Sequence, residues 1–269
     1  MIDGLRRVFK PSNRSLIREL VTSDFKLRYQ GSFLGYLWSL LRPLFLFSVL
    51  YVVFTHVIRL GDDVPHYPAY LLLGLVLWQF FTESTSAGMN AITGRGDLVR
   101  KVNIPKYTIV LSTTISAFVT LCLNMVVVFI FMFFGQVHLR PEILLAIPLL
   151  VELIIFCLGI AFILATLFVR FRDISHIWDV ILQVLFYATP IIYSFKIVPQ
   201  KLAEILSINP LAQIFQDIRS VMITPEALTT KQVFDSQLGR ILPALSTLAI
   251  LALGAYYFRK RSKYFAEEL

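Results

Sequence analysis

Three ionisable side chains lie inside long apolar runs of the sequence: Arg42, Glu83 and Glu152. A charged group is costly within a membrane-spanning helix, so it usually marks a substrate pathway or a proton relay. Two carboxylates at membrane depth could carry protons, and an arginine near the inner boundary could bind an anionic headgroup. These residue types therefore indicate transport chemistry rather than covalent catalysis.

The sequence lacks the short motifs of the common catalytic and nucleotide-binding sites. It has no G-x-x-x-x-G-K-[ST] phosphate loop, no H-E-x-x-H, no G-x-S-x-G and no Cys/His metal cluster. The four histidines fall near the ends of apolar runs, where we interpret them as structural. Cys122 and Cys157 lie within apolar runs, which favours buried thiols over a disulfide. We therefore expect no catalytic residue, no metal and no cofactor on this chain.

The composition is typical of a polytopic membrane protein. Hydrophobic residues make up 57% of the 269 positions, more than in an ordinary soluble domain. The formal net charge of +8 could suggest nucleic acid as a partner, but the basic residues gather at the ends of apolar runs, as topology signals do. The first 31 residues contain no apolar core followed by a cleavage site, so we expect no secretory signal peptide.

Six apolar runs predict membrane-spanning helices, since a bilayer core needs roughly 20 mostly apolar residues. They cover residues 34–58, 67–81, 108–134, 143–169, 175–194 and 241–258, and the second helix could extend to Met89. With six spans, 17 of the 25 Lys and Arg residues fall on the side that holds both termini. Because Lys and Arg stay on the cytoplasmic side, the sequence predicts that both termini are cytoplasmic.

Segments outside these runs complete the predicted organisation. Residues 1–33 predict a basic amphipathic helix on the membrane surface, and the basic loop 94–106 is also cytoplasmic. The external segment 195–240 contains two short amphipathic pieces, 201–208 and 210–222, which are too polar to cross and predict re-entrant helices. The predicted fold class is an all-α integral membrane protein, with a six-span domain at 34–258 and a cytoplasmic tail at 259–269.

Four stretches resemble, in the right order, the permease subunits of ABC transporters that export polysaccharide. The first is D-F-K-L-R-Y-Q-G-S-F-L-G-Y-L-W-S-L-L-R-P-L at 24–44, and the second is D-L-V-R-K-V-N-I-P-K at 97–106. The third is F-R-D-I at 171–174, followed by Gln183 and T-P-I-I-Y at 189–193. The fourth is I-N-P-L at 208–211 with the downstream Arg219. The family serves O-antigen, capsule and teichoic-acid polymers.

The resemblance implies a bacterial plasma-membrane exporter whose energy comes from another chain. The implied partners are a second copy of this chain, a P-loop ATPase dimer that binds ATP and Mg, membrane lipid and a polyprenyl-linked polysaccharide. Nucleic acid is not among them. The residues implied in ATPase coupling are Asp97, Arg100, Lys101, Asn103, Pro105, Lys106, Arg172 and Asp173. Those implied on the interface helix are Asp24, Lys26, Arg28 and Tyr29.

The resemblance also implies a polymer path between two copies, with the first and fifth spans as walls. Aromatic rings suit such a path because sugar faces offer apolar C–H patches, although rings that face lipid or the interface are the alternative interpretation. The candidate channel or substrate residues are Tyr36, Trp38, Arg42, Phe47, Tyr51, Phe186, Tyr187 and Tyr193. The candidate residues of an external gate in 195–240 are Asn209, Pro210 and Arg219.

Two other functions stay open from the sequence. A proton-coupled secondary transporter would use Glu83 and Glu152, although such transporters often carry an internal repeat and the two halves show none. A membrane-embedded enzyme acting on a lipid-linked sugar would need a catalytic pair, for which we find no candidate. A P-loop ATPase gene beside this one would favour the exporter over the secondary transporter.

Overall fold

The computed structural model describes residues 11–29, 35, 37–59, 64–102, 104–234 and 238–269. Every regular element in these ranges is a helix. Two candidate site residues, Tyr36 and Asn103, lie outside the described residues, as do the side chains of Arg28 and Tyr29.

Twelve α-helices follow one another along the described chain. The first six are α1 (Pro11–Tyr29), α2 (Leu37–Val52), α3 (Tyr67–Asn90), α4 (Gly96–Lys101), α5 (Tyr107–Phe134) and α6 (Ala146–Arg170). The others are α7 (Ile174–Ala188), α8 (Gln200–Ser207), α9 (Pro210–Met222), α10 (Thr230–Val233), α11 (Leu238–Arg261) and α12 (Phe265–Glu268). A π-helical turn, Val53–Val57, continues α2, and a 3-10 turn, Pro141–Leu145, leads into α6.

Four helical segments in the described ranges are long and apolar enough to cross a membrane. They are Leu37–Val57, Tyr107–Phe134, Pro141–Arg170 and Ile241–Arg261. They match the first, third, fourth and sixth apolar runs of the sequence. The integral membrane class is therefore confirmed, and the remaining two runs correspond to α3 and α7.

Helix α3 is the centre of the bundle, because α2, α5, α6, α7 and α9 all pack against it. Its side chains are buried along nearly the whole length, including the polar Ser84 and Thr85, which are both 0% exposed. Ser84 donates to Thr114 Oγ1 on α5 over 3.3 Å, which satisfies a hydroxyl that lipid could not. Because neighbouring helices cover most of α3, polar residues such as Ser84 and Thr85 can lie inside the bundle.

Helices α6 and α11 approach each other at two glycines. A Cβ added to Gly159 on α6 would lie 2.8 Å from the backbone of Leu251 on α11. A Cβ added to Gly254 on α11 would overlap the carbonyl oxygen of Gly159. Small residues at such a crossing allow backbone-to-backbone packing, which drives helix association where there is no water to expel.

Helix α7 ends earlier than the sequence predicted. The fifth run was expected to continue to residue 194, but α7 stops at Ala188 and spans 15 residues, about 22 Å at 1.5 Å per residue. Pro190 disfavours a helical conformation for the residue before it, and Thr189 has extended backbone angles, φ −96° and ψ 135°. The segment 189–194 then forms a buried turn against α3 and α9.

Short helices are present where the sequence placed them in 195–240, as α8 and α9. The small helix α10 was not predicted. The pattern of α9 is amphipathic, as the sequence predicted, but consecutive side chains from Leu211 to Arg219 are all buried. Other helices cover α9 on its polar face as well as its apolar face. Inside the protein, Gln213 Nε2 donates to Asp217 over 2.8 Å and Gln216 Oε1 accepts from Tyr70 Oη over 3.0 Å.

Candidate functional site

Helix α4 presents charged residues predicted to couple to an ATPase. Val99 is buried, whereas Asp97, Arg100 and Lys101 are exposed. The acidic residue lies in the first turn of α4 and the basic residues in the last, which suits the helix dipole. Helix α4 is therefore anchored on one side and exposes its charged residues on the other.

Pro105 does not end the loop helix. Helix α4 ends at Lys101, and Val102 is already extended with φ −125° and ψ 129°. Pro105 instead stands just before α5, where its carbonyl oxygen accepts a hydrogen bond from Thr108 Oγ1 over 2.6 Å. Proline fits before a helix because no intrahelical N–H donor is needed there.

An ion pair between Arg95 and Asp24 joins the segment before α4 to α1. Arg95 also donates to Ser112 Oγ on α5 over 3.3 Å. The side chains of Arg95 and Asp24 are only 20% and 22% exposed, so the pair is partly shielded from water. A single guanidinium thus connects α1 and α5 to the α4 segment.

The C-terminal helix α12 closes the same end of the molecule. Phe265 is 0% exposed and its ring meets Phe258 edge-on at 5.3 Å. Lys106 donates to the carbonyl oxygen of Ser262 over 2.5 Å and lies 5.8 Å from the centre of the Phe265 ring. Burial lowers the pKa of the Lys106 ammonium, and the nearby Glu267 opposes that effect. We call this end, formed by α1, α4 and α12, the basic end.

A surface cleft of about 300 Å³ opens at the basic end. Three arginines line it, and the full set of lining residues is Thr93, Gly94, Arg95, Gly96, Asp97, Arg100, Arg172 and Leu269. Arg172 and the adjacent Asp173 are exposed between α6 and α7. The cleft brings the two predicted coupling segments together, and its guanidinium groups suit a partner that offers carboxylates.

Arg219 organises the opposite end of the molecule. Its side chain is 0% exposed, and its guanidinium donates to three backbone carbonyl oxygens: Tyr70 at 3.2 Å, Ile191 at 2.6 Å and Pro190. The guanidinium carbon also lies 3.7 Å from the centre of the Tyr70 ring. A planar donor fork of this kind can hold several acceptors at fixed angles.

Side chains donate to each backbone carbonyl oxygen of the turn from Pro190 to Tyr193. Arg219 donates to the carbonyl oxygens of Pro190 and Ile191. Tyr67 Oη donates to that of Ile192 over 2.9 Å, and Tyr70 Oη lies 3.5 Å from that of Tyr193. These carbonyls lack helical partners because α7 has ended, so the side chains satisfy buried acceptors. We call the set Tyr67, Tyr70 and Arg219 the carbonyl clamp.

Gly74 leaves the space that the clamp needs. A Cβ at this position would overlap Nη2 of Arg219 and lie 2.9 Å from its guanidinium carbon. Asn209 secures the other side, because its side chain accepts from the Leu211 amide over 3.0 Å and donates to Thr189 over 3.1 Å. Pro210 occupies the first turn of α9, where proline is favoured. The three predicted gate residues thus meet at one structural junction.

The predicted channel residues do not form one group. Trp38, Arg42 and Tyr187 are exposed, and Tyr51, Phe186 and Tyr193 are half-buried. Phe47 is 5% exposed, and its ring packs edge-on against Phe131 at 5.1 Å. The prediction that Phe47 lines a path is therefore wrong, because its ring faces the interior of its own helix bundle.

The two carboxylates within apolar runs are both half-buried. Glu83 accepts a hydrogen bond from Thr120 Oγ1 on α5 over 3.3 Å. Glu152 lies on α6, about two turns before the contact of Gly159 with α11. Within the ranges that the structure describes, no group of three His, Cys, Asp or Glu side chains could hold a metal ion.

Sequence reasoning missed four residues of these two ends: Arg95, Tyr67, Tyr70 and Gly74. A signal for three of them existed, since positions 67, 70 and 74 follow helical spacing and place two tyrosines and a glycine on one face. In an apolar run, that stripe was indistinguishable from ordinary interfacial aromatics. The partner of Arg95 is 71 residues away in sequence, so no local pattern marked it.

Several long apolar helices, a basic end and a clamped opposite end define a polytopic membrane protein. Residues 15–223 match the family described as ABC-2 type transporter, and the chain belongs to that family. It is 29% identical over 259 residues to O-antigen export system permease protein RfbA of Myxococcus xanthus, covering 95% of this chain and 96% of that protein.

Two further relatives have export or transport names. The chain is 30% identical over 212 residues to a protein of Klebsiella pneumoniae also named O-antigen export system permease protein RfbA, covering 77% of this chain and 80% of that protein. It is 21% identical over 248 residues to polysialic acid transport protein KpsM of Escherichia coli, covering 92% and 93% of the two chains.

Proposed function

We propose that this chain is the transmembrane subunit of an ATP-driven exporter that moves lipid-linked polysaccharide, or a teichoic-acid-type polymer, across the bacterial plasma membrane. The observation that carries the proposal is the end-to-end similarity to an O-antigen export permease, which covers 95% of this chain. A separate P-loop ATPase would bind ATP and Mg and hydrolyse the nucleotide. This chain would itself have no enzymatic activity.

The proposed assembly contains two copies of this chain and two ATPase subunits, with six spans per copy. Helix α3, at 24 residues, is about 36 Å long and could cross a bilayer core. Helix α7 is shorter than the bilayer core is thick. The turn 189–194, which is buried within the protein, would cross the rest of that thickness. The excess of Lys and Arg at the basic end supports a cytoplasmic location for that end and for both termini.

The basic end would receive motion from the ATPase. The exposed charges of α4 and the arginine-lined cleft offer a docking surface, and nucleotide-driven closure of the ATPase pair would displace it. Arg95 would transmit that displacement to α1 and α5, because it bonds both Asp24 and Ser112. Coupling of this kind requires that the position of this surface depends both on the state of the ATPase and on the arrangement of the membrane helices.

The polymer would pass between the two copies toward the clamp end. Arg42 is exposed one and a half turns into α2, where its guanidinium could bind the pyrophosphate of a polyprenyl-linked substrate. Tyr187 and Trp38 are exposed rings that could contact sugar faces. Helices α8 and α9 would form the external gate, held in place by the carbonyl clamp.

Co-purification tests the proposal directly. The chain is expressed with the P-loop ATPase encoded beside it, the complex is isolated, and its bound lipid is identified. We expect a stable complex that hydrolyses ATP and carries a polyprenyl-linked sugar. In parallel, deletion of the gene should remove the surface polymer and a plasmid copy should restore it. An unchanged surface polymer after deletion would reject polysaccharide export by this chain.

A further inference from the structure

Lys106 contacts the C-terminal part of this chain at two points. It stands directly before α5, and its ammonium donates to the carbonyl oxygen of Ser262 over 2.5 Å and lies 5.8 Å from the centre of the Phe265 ring. Ser262 directly follows the last residue of α11. Carbonyl groups at the end of a helix lack intrahelical donors, and a lysine can satisfy them. One side chain therefore connects the start of α5 to the end of α11.

Phe265 holds the same region from α12. It is 0% exposed, and its ring meets that of Phe258 on α11 edge-on at 5.3 Å. The Phe258 ring in turn lies 4.9 Å from the ring of Phe162 on α6. A helix of four residues is too short to be stable alone. Packing of the three rings therefore fixes α12 to α11 and α6.

Helix α12 also packs against α4. A Cβ added to Gly96, the first residue of α4, would lie 3.9 Å from the side chain of Leu269. Val99, the buried residue of α4, belongs to the same apolar cluster as Phe265, and Leu20 of α1 belongs to it as well. Helix α4 therefore rests on an apolar base that includes residues of α1, α6, α11 and α12.

We propose that Lys106 and Phe265 form a latch that makes the last membrane helix, α11, move together with α4 when the ATPase closes. This inference rests on the proposed export function and adds a second route for the motion, besides the route from Arg95 to α1 and α5. The backbone contact between Gly159 and Gly254 would extend the second route to α6. Lys106 is then a positioning residue inside this chain, although the family resemblance implied it in ATPase coupling.

The latch joins two helices that otherwise pack against different neighbours. Helix α11 packs mainly against α6, whereas α5 packs mainly against α3 and α1. A hydrogen bond from a charged donor is about twice as strong as a neutral one, and an ammonium near an aromatic ring gains cation–π attraction. Without the latch, α4 and α5 could shift while α11 stays in place. ATP hydrolysis would then continue without the full rearrangement of the membrane helices.

Substitutions of Lys106 test the latch in the assembled complex in membranes. Lys106→Met removes the ammonium and keeps most of the aliphatic stem, and Lys106→Arg keeps a charged donor. Lys263→Met is the matched control, because Lys263 is an exposed lysine of the same C-terminal segment. We expect Lys106→Met to give a normal amount of complex and retained ATP hydrolysis, with several-fold less polymer exported per ATP hydrolysed. Lys106→Arg should restore much of that ratio, and Lys263→Met should match the wild type.

Three results would overturn the latch. Loss of the complex in Lys106→Met but not in Lys263→Met would place Lys106 on the surface that binds the ATPase. Wild-type export per ATP hydrolysed in Lys106→Met would show that α11 does not depend on this contact. A parallel fall of ATP hydrolysis and export, with their ratio unchanged, would show that the substitution does not uncouple the two.

A covalent link provides a second test that does not depend on Lys106→Met. Lys106→Cys and Ser262→Cys are combined in a background with Cys122→Ser and Cys157→Ala, and a short bifunctional thiol reagent joins the two half-buried positions. The ratio of export to ATP hydrolysis should be low before the reaction and should rise after it, because the link replaces the hydrogen bond. Lys106→Cys alone, treated in the same way, is the control and should stay low.

A formed cross-link that leaves the ratio low, or lowers it further, would show that α5 and α11 must separate during transport, and the latch would be rejected. These outcomes leave the export function intact, since each is a comparison with an exporting wild type. Failure of the wild-type chain to restore surface polymer in the deletion strain would instead reject the export function itself.

Discussion

Arg219 shows how a charged residue can be structural in a membrane protein. A buried guanidinium is costly unless its donors are satisfied, and here three carbonyl oxygens and the face of the Tyr70 ring surround it. The break in α7 supplies two of those acceptors, so the arginine and the helix end stabilise each other. Loss of either would leave buried polar groups without partners.

Gly74→Ala should disrupt this arrangement without replacing any charged residue. The new Cβ would overlap Nη2 of Arg219, which has no free space to move because the side chain is 0% exposed. We expect destabilisation of about 3 kcal/mol, combining overpacking with weakened buried hydrogen bonds. The measurement is the thermal unfolding of the purified protein in detergent.

Gly94→Ala is the matched control, since a Cβ at position 94 would have nothing within 4 Å. It should leave the unfolding temperature unchanged. Equal unfolding temperatures for Gly74→Ala and the wild type would show that Arg219 can shift at little cost, and the carbonyl clamp would then not be rigid.

The sequence allowed individual residues to be located only where local chemistry marked them. Asn209 and Pro210 could be placed at a helix start because an Asn cap followed by Pro is a local signal. Arg219 was a candidate from a family resemblance, but its acceptors could not be foreseen, since they lie on two other segments. Phe47 was assigned to a path because a helical stripe of rings does not reveal which side of the helix is buried.

At the scale of elements, α4 depends on its neighbours for its position. A helix of six residues is far too short to be stable alone. Val99 is its buried contact, and the Arg95–Asp24 pair fixes the chain just before it. Any motion imposed on α4 would therefore reach α1 and α5 through defined contacts.

A charge swap tests this connection. Asp24→Arg or Arg95→Asp alone should place like charges together and reduce the yield of complex with the ATPase. The double variant should recover most of the yield, with a coupling energy of about 1 kcal/mol for a partly shielded pair. Arg18→Asp, an exposed change on the same helix α1, is the control and should have no effect. Absence of recovery in the double variant would rule out the ion pair as the connection.

The orientation of α4 can be measured with cysteines. In a background lacking the native thiols, Val102→Cys should resist an impermeant reagent in whole cells and react in inverted vesicles, because position 102 is 47% exposed on the basic end. Bound ATPase should protect it. Val99→Cys is the control and should be unreactive in both preparations, since Val99 is 5% exposed. Labelling of position 102 from outside whole cells would refute a cytoplasmic basic end.

At the scale of the whole molecule, apolar periodicity predicted the helical membrane class and the long outer spans. It placed the short helices α8 and α9 to within one residue of their starts. It failed where neighbours decide the outcome: α9 is buried on its polar face, and α7 ends six residues early at a proline. Hydrophobicity indicates whether a helix can face lipid. It does not show which helices are covered by other parts of the protein.

The energy source of the whole assembly can also be tested. Export should depend on ATP hydrolysis by the partner, so substitution of the phosphate-loop lysine of that ATPase should abolish surface polymer. Replacing both membrane carboxylates, as Glu83→Gln with Glu152→Gln, should leave export within about twofold of the wild type, since neither need change its protonation. Glutamine keeps the size of each side chain, and at position 83 its amide oxygen can still accept from Thr120.

The opposite pattern would identify proton coupling. Export that survives an inactive ATPase, stops when the proton gradient is collapsed and is lost in the carboxylate double variant would make Glu83 and Glu152 the working residues. Protein amount is measured in each case, because Glu83 bonds Thr120 and its replacement could lower stability. With protein amounts equal, an ATP-driven exporter and a proton-coupled transporter should respond in opposite ways to the same two sets of substitutions, so one experiment decides between the two mechanisms.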